Sequence, residues 1–120
     1  MKFLFNYFFV TDLLDDVYVD ELKGTNTASC GVNRATPCKS ISEGLKKAEE
    51  FGTVHVMGKH HLQRPITVSK SINIISGDIQ YGVIIGNSSI DVALILKCEK
   101  NLNLTLQGIC FENIGVLVSH

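Results

Sequence analysis

From Thr53 onward, apolar and polar positions alternate along this chain with a period of two. Val54 and Val56 flank His55, Ile66 and Val68 flank Thr67, and Leu102, Leu104 and Leu106 flank Asn103 and Thr105. Such alternation turns one face of a strand inward and the other to water. Before Thr53 the period is different. Ile41, Leu45 and Ala48 recur at helical spacing, Phe51 continues the stripe, and Ser40 stands three positions ahead of Glu43. That is a capping-box spacing, in which each side chain answers an unpaired amide of the first turn. Gly52 occupies the place of a left-handed C-cap. The pattern predicts one helix, over 40–51, with one buried face. Val17-Tyr18-Val19 predicts a short strand ahead of it, and a polar, glycine-containing loop from Lys23 to Pro37 lies between them.

Pieces of the strand pattern come round again. Gly52-Thr53-Val54-His55-Val56, Gly82-Val83-Ile84-Ile85 and Gly115-Val116-Leu117-Val118 share one glycine-led apolar unit. Ile66-Thr67-Val68 is echoed by Leu94-Ile95-Leu96, and Ile72-Asn73-Ile74 by Leu102-Asn103-Leu104. Three short strands returning every 30 residues or so predict a repeat whose units bury their apolar face only against a neighbour. Glycines at 58, 77, 86 and 108 punctuate the strands, and Pro65 opens one where a missing amide costs least. The connections after Thr53 are too short for crossover helices, which argues against an ordinary parallel βαβ sheet. A β-sandwich also uses short strands, but it does not require an ordered trio to recur.

The expected fold is therefore all-β: a right-handed parallel β-helix, or solenoid, with one N-terminal capping α-helix, truncated at about two to three coils. Val54, Val56, Ile72, Ile74, Ile84, Leu94, Leu104, Leu106 and Val116 are expected to line its interior. The organisation predicted is a signal-like leader over 1–16, then a strand and cysteine loop over 17–38, the cap helix over 40–51, and coils over 53–120. No polar or helical segment follows the last glycine-led unit before His120. A piece of a longer protein is expected, with edge-to-edge self-association through the open strands.

Composition narrows the function classes. At 45% hydrophobic and 19% charged, the chain is globular rather than disordered. A net charge of −1 argues against a nucleic-acid partner, which needs a basic stripe to displace counterions. Lys39, Lys46 and Lys47 cluster, but Glu43, Glu49 and Glu50 offset them. Met1-Lys2 followed by Phe3-Leu4-Phe5-Asn6-Tyr7-Phe8-Phe9-Val10 begins like a secretory signal, although the acidic Thr11–Asp16 lacks a small-residue cleavage pattern. No apolar run reaches the length of a membrane span.

Candidate chemistry is sparse. Cys30 and Cys38 are either a disulfide pinning the loop to the helix start or two free thiols. Cys110, between Ile109 and Phe111, reads as a small core residue, and the pairing of Cys98 is open. The four cysteines lack metal-site spacing, and His60-His61 should point apart in an extended turn, so no metal or cofactor is expected. His55 should face outward. Asp78, Asp91, Glu99 and Glu112 are single acids in turns, with no pair placed for two-carboxylate sugar chemistry. Asn87-Ser88-Ser89 and Asn103-Leu104-Thr105 are N-glycosylation sequons, meaningful on an exported chain.

Val17-Tyr18-Val19, Cys30-Gly31, Pro37-Cys38-Lys39-Ser40-Ile41, Leu45, Ala48 and Gly52–Val56 resemble the N-terminal end of pectin-lyase-like, right-handed β-helix proteins. Asn101–Asn113 looks like one of their later coils, and its phenylalanine-asparagine segment is similar to the repeat of polymorphic outer membrane proteins. The resemblance spans 17–118. It implies a Cys30–Cys38 disulfide, an extracellular or surface location, and a structural, adhesive or carbohydrate-binding role without catalysis. Partners would be carbohydrate or another surface protein. The alternative it implies is the cap region of a carbohydrate-active enzyme, a polysaccharide lyase or glycoside hydrolase, whose catalytic coils lie elsewhere. A shared scaffold does not carry a shared reaction.

Overall fold

The computed structural model describes residues 13–78, 82–87, 90–97 and 101–119. Its elements are β1 (Leu14–Asp20), α1 (Ile41–Lys47), β2 (Ala48–Met57), β3 (Lys59–His61), β4 (Ile66–Val68), β5 (Ile72–Ser76), β6 (Gly82–Ile85), β7 (Val92–Leu96), β8 (Leu104–Gln107), β9 (Ile109–Glu112) and β10 (Gly115–Ser119). β1 thus takes in Leu14 to Asp16, which the sequence pattern grouped with the leader, while residues 1–12 lie outside the described residues.

α1 begins as its sequence dictates. Ser40 is extended, and its Oγ accepts the Glu43 amide at 3.1 Å. Glu43 in the first turn and Lys46 and Lys47 in the last complement the helix dipole. The helix ends earlier than its apolar stripe predicts. Ala48 is already extended, and the left-handed residue is Phe51, at φ 64°, rather than Gly52. Groups from the chain beyond β4, one side chain and one backbone carbonyl, explain the difference. Lys70 Nζ donates to the Ala48 carbonyl, and the Phe51 amide donates to the Ser71 carbonyl at 2.7 Å. Those bonds hold 48–51 in β2, and a helix with glycine at its centre has little propensity with which to compete.

The strands form three sheets, ordered β1-β2-β5-β8, β3-β6-β9 and β4-β7-β10, and every pairing is parallel. All three sheets and α1 feed one apolar cluster. Val17, Val54, Val56 and Ile74 come from the first sheet, Ile84 from the second, Ile66 and Leu94 from the third, and Ile41 and Leu45 from the helix. Of the predicted interior, Val54, Val56, Ile72, Ile74, Ile84 and Leu94 are buried, and Leu104 and Leu106 pack half-buried against them. The Val116 side chain lies outside the described residues.

The fold class requires correction. About half of the described residues are strand, yet the domain is a small, compact α/β unit and not the all-β solenoid expected. Two findings overturn that expectation. First, α1 is not a cap laid over a finished end. It joins β1 to β2, which are parallel neighbours, so β1, the cysteine loop, α1 and β2 make a helical crossover. The argument against such a crossover holds only after Thr53, because the segment between β1 and β2 is long enough to carry one. Secondly, the glycine-led unit is not a structural repeat. Its three copies fall in β2, β6 and β10, which belong to three different sheets. The radius of gyration, 14.3 Å, is close to the roughly 13.6 Å of a compact domain of this length. One of the weaker echoes does pair in register, Ile66 on Leu94, whereas Ile72 lies on Leu104 rather than on Leu102.

Candidate functional site

Asp20 ends β1 by turning the chain. Its Oδ1 accepts the amides of Leu22 and Lys23 at 3.0 and 3.2 Å, an Asx-type turn that leaves Glu21 facing β3. There Glu21 grips His61 twice. Oε1 accepts the His61 amide at 2.7 Å, and Oε2 accepts its Nδ1–H at 2.8 Å, leaving Nε2 free of that contact. Partial burial raises the carboxyl's pKa, but the two hydrogen bonds and the imidazole charge outweigh it and hold the group below its ordinary value. The next residue back behaves oppositely. His60 is buried, and its Nε2–H donates to the Met57 carbonyl at 3.1 Å. Burial pushes its pKa down against the pull of that bond and of Glu21, so the ring is neutral near pH 7. The pair does point apart, as adjacent strand residues must. It stands in β3 rather than in the solvated loop expected.

These groups line an open groove of about 620 Å³ between the start of α1 and the chain from β3 to β4. Ile41, Leu62 and Ile66 give it an apolar floor, and Ser42, His61, Gln63 and Arg64 give it a polar rim. A second hollow of about 440 Å³ shares Ser42 and Arg64 with it and runs on past Leu45 and Lys46 to Lys70. Together they form a trough, with α1 as one wall and residues 62–70 as the other. One hydroxyl and one cation that could have served the site are already engaged. Ser40 Oγ caps the helix and accepts from Asn26, and Lys39 Nζ donates to the Glu21 carbonyl at 3.0 Å. A carboxylate–imidazole pair can relay a proton, but no activated nucleophile stands with it among the described groups. No cluster of three metal-ligating side chains occurs among the described residues.

The sequence-level candidates fall elsewhere. Cys30 and Cys38 form a disulfide with Cα atoms 4.7 Å apart, both buried beside β1. Cys110 is a free thiol, half-buried on β9 and outside the apolar cluster that was expected to hold it. Cys98 and Glu99 lie outside the described residues. Asn87 is half-buried and donates its side-chain amide to the Leu62 carbonyl at 2.9 Å, so the fold already uses its Nδ2, whereas Asn103 is exposed. Asp78 accepts the Gly58 amide at 3.2 Å, and Asp91 and Glu112 are exposed singly. His55 does lie on the outer side of its sheet but is largely covered. It stacks on Tyr18 with centroids 4.5 Å apart, bonds Asp16 at 2.9 Å, and Arg34 lies 5.4 Å above the Tyr18 ring.

Comparison with protein-family models, curated proteins and solved structures returns no match. The functional reading rests on the residues themselves. Sequence reasoning missed the Glu21–His61 pair because its members are 40 residues apart, one in the turn after β1 and the other on β3 of a different sheet. No local pattern announces such a contact. The Tyr18–His55 stack was reachable only through the β1–β2 register, in which the two residues stand opposite each other.

Proposed function

We propose that this domain is a non-catalytic module of an extracellular or cell-surface protein and takes carbohydrate in the trough beside α1. One observation carries the reading: an open groove of ligand size whose apolar floor is ringed by mixed donors and acceptors. A sugar presents C–H faces flanked by hydroxyls that both donate and accept. Ile41, Leu62 and Ile66 suit the former; Ser42, Gln63, Arg64 and the free nitrogen of His61 suit the latter. No Phe, Tyr or Trp is among the described residues that line the groove, so stacking on a broad ring adds nothing and affinity is weak. Export is supported by the buried disulfide, which persists in an oxidising compartment. In the same compartment the exposed Asn103 sequon is the better acceptor of the two.

The test is an amide-resolved NMR titration of the intact domain with neutral and acidic mono- and disaccharides. Shifts should gather at His61, Gln63, Arg64 and Ser42, saturate in the millimolar range, and vanish in the His61→Ala, Arg64→Ala variant. Shifts scattered over the surface, or none for any sugar, would refute a glycan site in this trough.

A further inference from the structure

The two hollows of the trough differ in charge. Glu21 lines the first and holds His61 there, but no carboxylate is among the described residues that line the second. Three cations do line it, each from a different segment: Lys46 from the last turn of α1, Arg64 from the bend before β4, and Lys70 from the chain after β4. The walls that carry them are fixed. Leu45 is buried on α1, Ile66 and Val68 are buried on β4, and the alternation of that strand turns Thr67 outward. Pro65 narrows the backbone freedom of Arg64. The cations are not equally spent. Lys46 Nζ stands 3.7 Å from Glu43, and Lys70 Nζ gives one of its donors to the Ala48 carbonyl. Burial lowers the Lys70 pKa, and the Glu50 charge offsets this only in part, so an anion brought beside it would be stabilising. Arg64 is exposed and makes no hydrogen bond or ion pair with the described residues.

We propose that the second hollow is a subsite for a sulfate ester, and that the glycan of this trough is a sulfated one. The inference rests on the glycan reading above and adds its chemical class. A carboxylate has two oxygens, which one guanidinium fork satisfies. Cations converging from three segments supply more donors than that, and they suit the three terminal oxygens of a tetrahedral ester. The charge suits sulfate as well. Glu43 stands beside Lys46 and Glu50 acts on Lys70, so the excess centres on the Arg64 guanidinium. A sulfate ester carries a single negative charge, whereas a phosphate monoester carries close to two. The hollows share Ser42 and Arg64, so a sugar ring resting on Ile41, Leu62 and Ile66 can pass its ester into the second hollow at that junction. Ser42 and Thr67 line the second hollow too, and their hydroxyls can donate to sulfate oxygens.

The deciding experiment is an amide-resolved NMR titration of the intact chain with four probes: galactose, galacturonate, galactose 6-sulfate and inorganic sulfate. Galactose 6-sulfate should bind roughly ten-fold more tightly than any of the other three, the gain expected of added charge-assisted hydrogen bonds. It should add shifts at Lys46 and at Thr67 to Lys70 to those in the first hollow. The advantage should disappear at roughly 1 M salt, where screening acts within about 3 Å. In the double variant Lys46→Gln, Arg64→Gln, both positions being exposed, galactose 6-sulfate should bind no better than galactose. Galactose and galactose 6-sulfate binding alike in the first hollow would overturn the sulfate subsite and leave the glycan reading standing. Galacturonate matching galactose 6-sulfate would do the same, since the hollow would then answer to charge alone. Inorganic sulfate binding as tightly as the sulfated sugar, with no probe shifting the first hollow, would overturn both. A folded variant that keeps the preference for the sulfated sugar overturns the assignment of these cations.

Discussion

Replacing both Cys30 and Cys38 by alanine should lower stability by about 2.5 kcal/mol, which is the loop-closure entropy of a bridge spanning so few residues. The geometry decides what form the loss takes. Gly31 and Cys38 are tied to β1 by three backbone bonds, and the Gly31 amide donates to the Thr36 carbonyl at 2.7 Å. The loop therefore keeps its folded position without the bridge, and the cost falls on the unfolded chain, which regains its freedom. For a domain of this length the unfolding entropy is roughly 0.25 kcal/mol per kelvin, so the midpoint should fall by about 10 °C. Circular-dichroism melts of the wild type, of the wild type in reductant and of the double alanine variant would measure it. Reductant and alanine should act nearly equally, because the same constraint is lost in each. A fall of less than 3 °C in both would show that the backbone ties alone order the loop. A large fall in reductant with none in the alanine variant would place the cost in burying free thiols and refute the entropic account.

Gly44→Ala should destabilise despite a gain in helix propensity of about 1 kcal/mol. Its new Cβ would lie 2.5 Å from Val19 Cγ1, a fully buried side chain with nowhere to go, and overpacking of that kind costs about 1–3 kcal/mol. Urea denaturation reads the sign, and a higher midpoint would contradict it. Phe51→Gly should stabilise by up to about 1 kcal/mol, because Phe51 holds a positive φ while its ring is exposed, and glycine adopts that backbone without strain. An unchanged or lower melting point would count against strain at that turn. Stability should decline as pH falls through about 6.5, since the unfolded chain binds a proton at His60 before the folded one does, and should level off below the depressed folded value. His60→Gln should flatten that stretch of the stability–pH profile, and an unaltered slope would assign it to another group.

Much of the secondary structure was legible. Period-two alternation located most strands after Thr53, though not β3, which read as a loop, and the Ser40–Glu43 spacing located the helix start to the residue. The helix end was not legible, because Lys70 and Ser71 take the backbone of 48–51 from a position some 20 residues downstream. The groove was legible only as fragments. His60-His61 stood out as a pair, but Glu21 carried no mark of its role, and Arg64 and Gln63 looked like ordinary loop residues.

What the sequence determined by itself was local: which segments are strands, which face of each is apolar, where α1 begins, and that parallel neighbours must come from distant parts of the chain. These follow from side-chain periodicity and capping, which act over a few residues. Only the tertiary structure decided which strands are neighbours. Three glycine-led segments that look alike went to three different sheets, and β1 reached β2 through a helix. Register and sheet membership are fixed by how the apolar faces fill one shared core, and that quantity belongs to the whole chain rather than to any segment of it.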